Sequence, residues 1–123
     1  MKFLLLGYTP AAAWDAETAD VPSEEAVAAF ATYQQFEAEL RATGEFVSTE
    51  GLGHPAMSRT VRKSDGAVVA TDGPFAELKE VLASFAVIDC VSLDRATDIV
   101  TRIVEILGEP IEIRPVMCDE FGA

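Results

Sequence analysis

An α+β domain is the fold this sequence predicts, on three observations. Two segments carry apolar residues at helical spacing, each with a capping Ser in front and a Gly behind. Around them lie short runs rich in Val, Ile, Leu and Phe, of strand length. Two of those runs are joined by Ser64-Asp65-Gly66, whose Asp-Gly pair suits a tight hairpin because both residues tolerate positive φ.

Taken in order, Lys2 to Tyr8 reads as a buried strand closing on Gly7-Tyr8-Thr9-Pro10, followed by a loop over residues 9–22 whose one large apolar group is Trp14. Trp14 is expected to fold that loop back onto the body by packing, the other reading being a lid over a pocket. Pro22-Ser23-Glu24-Glu25 starts a helix, with Ser23 as cap and two carboxylates at the positive end of the dipole. It runs to about Thr43 and stops at Gly44, and Val27, Phe30, Tyr33, Phe36 and Leu40 form its core stripe. Strands follow over Glu45 to Leu52, Met57 to Lys63 and Ala67 to Thr71. Ser84 to Val91 is a further strand, Ser92 caps a second helix that ends at Gly108 and Pro110, and Ile111 to Val116 is the last strand. Strand, helix, strand, hairpin, strand, helix, strand is the order of a ferredoxin-like sandwich with an inserted β-hairpin. Both helices then cover one face of the sheet, and the bare face calls for a homodimer.

With 123 residues the chain is a single domain with room for a core. Nine basic against 21 acidic residues, a net charge of −12, oppose direct binding to nucleic acid or anionic lipid. Arg59, Arg62 and Lys63 nevertheless make a local basic spot. The apolar run at the N-terminus is too short for a secretory signal and meets Pro10, and no stretch approaches the roughly 20 apolar residues of a membrane span, so a cytoplasmic protein is expected. Cys90 and Cys118 have neither metal-ligand spacing nor disulfide density and are expected as reduced thiols. No cofactor is expected: phosphate loops, dinucleotide fingerprints, metal spacings and Ser/His/Asp or Cys/His nucleophile motifs are absent.

Residues 71–85 concentrate the polar groups. Asp72-Gly73 signals a turn, Pro74 ends the strand and suits a helical turn, and Phe75 is expected to anchor that turn in the core. Glu77, Lys79 and Glu80 follow. Asp72 either caps this turn or is a carboxylate at a pocket mouth, with Glu77 and Lys79 as acid and charge partner. Glu50, Arg62 and Arg114 are strand-borne charges that form either a salt-bridged sheet edge or a site for a small anion. His54, the one imidazole, lies in a Gly-His-Pro loop and is the less favoured acid–base candidate.

Asp72-Gly73-Pro74-Phe75-Ala76-Glu77, followed by Lys79-Glu80, closely resembles the signature of the DGPF group of YCII-related domain proteins. The opening strand ending in Tyr8, Glu50-Gly51-Leu52, Thr60-Val61-Arg62, Ile88-Asp89 and Arg114-Pro115-Val116 agree in order, so the resemblance covers almost the whole chain and makes Met1 the expected mature start. It implies a dimeric α+β barrel in which two ferredoxin-like sheets pack face to face. The wider group is known for a pocket with a His-Asp arrangement, and many DGPF proteins are encoded beside extracytoplasmic-function sigma factors. The resemblance implies no single activity. Two departures matter: Ala83-Ser84 stands where a Gly-Gly pair is usual, and His54 does not align with the group's catalytic His and is not carried over.

Three functions follow as expectations. The first is a dimeric module that binds a small polar molecule or regulates a partner such as a sigma factor, with Tyr8, Glu50, Arg62, Glu77, Lys79 and Arg114 as ligand-binding candidates. The alternative is an acid–base enzyme, an isomerase or lyase on a small polar metabolite, working through Asp72. Direct nucleic-acid binding ranks last because of the charge.

Overall fold

The computed structural model describes residues 1–15 and 23–117. Cys118, the acidic tail and the packing expected of Trp14 lie outside the described residues and side chains. In chain order the elements are β1 (Lys2–Pro10), α1 (Ala11–Asp15), α2 (Glu24–Thr43), β2 (Phe46–Gly51), a 3-10 turn (Pro55–Met57), β3 (Arg59–Ser64), β4 (Ala67–Asp72), β5 (Glu80–Asp89), α3 (Leu93–Leu107) and β6 (Ile111–Pro115). Helices and antiparallel sheets together make an α+β fold.

Four strands form one sheet in the order β2-β5-β1-β6, antiparallel throughout. β1 lies inside it because its run of Phe and Leu is apolar enough to be flanked on both edges. Alternation then sorts its side chains. Phe3 and Leu5 point at the helices and are buried, with Phe46, Ala86 and Ile88 from the neighbouring strands. Leu40 of α2 and Ala96, Ile99, Val100 and Ile103 of α3 close the core over them. Each fully buried side chain of this size contributes about 1.5–3 kcal/mol, which makes this layer the main source of stability.

The helix ends follow the chemistry expected of them. Ser23 Oγ accepts from the Ala26 N–H at 3.1 Å and Ser92 Oγ from the Arg95 N–H at 3.1 Å. Gly44 and Gly108 both stand at φ 83°, left-handed positions where a side chain would be strained. Asp65 and Gly66 also have positive φ, and they turn β3 into β4 as a two-residue hairpin loop.

Four expectations are corrected. The segment after β1 is not all loop, since Ala11–Asp15 forms a short helix. β5 begins at Glu80 rather than Ser84, because β1 itself runs on to Pro10 and offers Tyr8, Thr9 and Pro10 as partners to Leu82, Val81 and Glu80 across a bulge. Val27 and Phe30 are exposed, so only the C-terminal part of the α2 stripe, Tyr33, Phe36 and Leu40, meets the core. Phe75 is 77% exposed and residues 73–79 are irregular rather than helical. That loop hangs from the root of the β3–β4 ribbon, away from the layer that could bury an aromatic ring.

Candidate functional site

The face of the sheet turned away from the helices is floored by Leu4, Leu6, Phe85 and Val87, all half-buried. The register sets charged residues beside this floor: Leu4 is opposite Arg114, Leu6 is opposite Glu112, and Phe85 is opposite Glu50. Tyr8 donates its hydroxyl to Glu112 Oε1 at 3.3 Å, and Arg114 Nη2 donates to Glu112 Oε2 at 2.6 Å. Glu112 thus accepts at both oxygens. It fixes a phenol and a guanidinium side by side while Arg114 keeps 66% of its side chain exposed. Loss of hydration on burial, then the Glu112 charge, pushes the Tyr8 phenol above its ordinary value. Such a pairing can take an anionic or polar group on the guanidinium, with the apolar floor beneath the rest of the molecule.

Tyr8 also lines a cleft of about 260 Å³ at the end of β1, together with Gly7, Thr9, Ser84, Leu107 and Ile111. Thr9 donates to Glu109 Oε2 at 2.6 Å. A Cβ on Gly7 would come 2.5 Å from Ser84 Oγ. Of the Ala83-Ser84 pair, Ser84 is the one whose side chain stands against Gly7, the residue without a side chain on β1.

The remaining candidates sit on the ribbon and its root. Asp72 accepts from Arg59 Nε at 3.3 Å across the first pair of the ribbon, with 86% of its side chain exposed. The turn behind it is held by other groups: Thr60 Oγ1 donates to the Gly73 carbonyl at 2.9 Å, and Gly73 itself takes φ 106°. The Arg62 guanidinium lies over the Phe75 ring at 5.1 Å. Glu77 and Lys79 are exposed, and the carbonyl of Lys79 accepts the Ala11 N–H at 2.6 Å, which ties the loop to the end of β1. His54 Nδ1 accepts the Ala56 N–H at 2.9 Å and caps the 3-10 turn. Among the described residues no group of His, Cys, Asp and Glu is placed to hold a metal ion. Cys90 is a buried free thiol whose Sγ donates to the Ser92 carbonyl.

Tyr8 and Arg114 are thus brought together, Glu50 stands on the same face, and Asp72 and Arg62 lie on the ribbon. The joining residue, Glu112, was missing from the candidates, although its position two residues before Arg114 on a strand already put both on one face.

With this geometry in place, comparison with known proteins identifies the class. The YCII-related domain model matches residues 1–119, and the chain belongs to that family. It is similar to Uncharacterized protein R00369 of Rhizobium meliloti (strain 1021), with 56% identity over 39 residues. That match spans about a third of each, 32% of this chain and 32% of the relative. No helix among the described residues is long and apolar enough to cross a membrane.

Proposed function

We propose that this YCII-related domain is a homodimeric module that binds a small polar or anionic molecule on the open face of its sheet. The observation that carries the reading is the Tyr8–Glu112–Arg114 group, an exposed guanidinium held in place beside an apolar floor. The strand order β2-β5-β1-β6 with two long helices supports a ferredoxin-like arrangement, and the half-buried Leu4, Leu6, Phe85 and Val87 are the surface a second sheet would cover to form a dimeric α+β barrel. In this reading the ligand is enclosed between two copies, and Glu50 and Arg114 rim it. A regulatory pairing, with a sigma factor as the form the family resemblance suggests, is the use such binding would have in the absence of turnover.

The acid–base alternative needs Asp72 in an enclosed setting, whereas its carboxylate is 86% exposed and paired with Arg59 on the ribbon. The test is a screen of small carboxylates, phosphates and polar amides against the isotope-labelled protein, with its mass in solution measured in parallel. A dimer in which hits shift the signals of Leu6, Tyr8, Glu112 and Arg114 supports the reading. A monomer, or shifts confined to the ribbon loop around Asp72, would overturn it.

A further inference from the structure

Among the described residues nothing covers the β3–β4 ribbon on either face. Every residue of β4 is exposed, and on β3 only Thr60 is half-buried. One face carries Val61, Val68 and Ala70 beside the Arg59–Asp72 pair, and the other carries Arg62 and Val69 beside Phe75. Val61 and Val68 are 62% and 73% exposed. A two-stranded ribbon standing alone in water is marginally stable at best, and valines on both of its faces add to its need for cover.

Charge indicates what covers it. Residues 59–72 hold three basic and two acidic side chains, which leaves six basic and nineteen acidic ones for the rest of the chain. Two copies of so acidic a body repel, and a basic, apolar ribbon laid across the other copy meets an opposite charge there. We infer that the ribbon is an exchanged arm that docks on a second copy of this chain and carries Arg62 and Asp72 onto that copy's surface. This rests on the dimeric reading above and goes beyond face-to-face sheet packing. It also explains why Asp72 and Arg62 stand apart from the Tyr8–Glu112–Arg114 group within one chain: they belong to the neighbour's side of the assembly.

The experiment compares sedimentation of the wild-type chain with that of Val61→Glu and Val68→Glu, alongside amide hydrogen exchange of residues 61–70 in the unmodified protein at high and low concentration. Docking predicts at least a tenfold weaker dimer in both variants, still folded by circular dichroism, and ribbon amides that lose protection on dilution. A wild-type dimer with unaffected variants and ribbon amides that exchange fast at every concentration would overturn the arm while leaving the dimer standing. A wild-type monomer would overturn both readings.

Discussion

Glu45 and Arg95 face each other as a fork on a fork, Arg95 Nε donating to Glu45 Oε2 at 2.8 Å and Nη2 to Oε1 at 2.9 Å. Arg95 lies in the first turn of α3, where a cation meets the unfavourable end of the helix dipole. The carboxylate just before β2 offsets that and ties the sheet's edge to the helix. Glu45→Gln should destabilise the fold by about 1 kcal/mol, a figure held down because Arg95 is partly solvated. Urea unfolding at neutral pH measures it.

The same pair has a pH signature. Hydrogen bonds from Arg95 hold the Glu45 carboxyl below its ordinary range, so the stabilisation is fully present above that range and is lost as the pH falls through the lowered value. Below it, wild type and Glu45→Gln should converge in stability. A gap that persists into strong acid would contradict the assignment.

Both of the chain's two tyrosines, Tyr8 and Tyr33, have their phenols pushed up, chiefly by burial and then by Glu112 and Glu37 respectively. Spectrophotometric titration should therefore show tyrosinate forming later than in a free peptide. Any stability from these phenols is present below the unfolded value and is lost as the pH rises through the folded one. Tyr8→Phe should remove one of the two delayed steps. A tyrosine that titrates at its ordinary midpoint in the folded protein would rule this out.

Asp72→Asn breaks an exposed ion pair and should change stability by less than about 1 kcal/mol. Thermal melting checks it. A large loss would mean that the carboxylate holds the turn, a role the structure gives to Thr60 and Gly73.

Gly7→Ala depends on what stands opposite. With Ser84 present its Cβ displaces the Ser84 hydroxyl, at a cost of about 0.5–1.5 kcal/mol for a poor rotamer. In a Ser84→Ala background the next atoms are 3.8 Å away, so the same change should stabilise by about 0.5–1 kcal/mol, the usual gain over Gly inside a strand. A double-mutant cycle in urea reads this reversal, and equal effects in both backgrounds would contradict it.

Most of the fold was legible in local chemistry. Ser23 with Gly44 and Ser92 with Gly108 delimited both long helices, and Asp65-Gly66 located the hairpin. What the sequence concealed was tertiary. Val27 and Phe30 obey the same helical period as Leu40, yet the core does not extend along α2 to meet them. Phe75 looks like an anchor until the ribbon carries its loop outward. At the site, Tyr8 and Arg114 were visible as residues but not as neighbours, because the register of β1 on β6 joins them and a spacing of over a hundred residues hides it.

The claim that the open sheet face binds a small polar or anionic molecule is tested most directly by titrating the best hit of the small-molecule screen into wild type and Arg114→Ala. We predict at least a tenfold loss of affinity with an unchanged melting temperature. Equal affinity in the two proteins would contradict the claim.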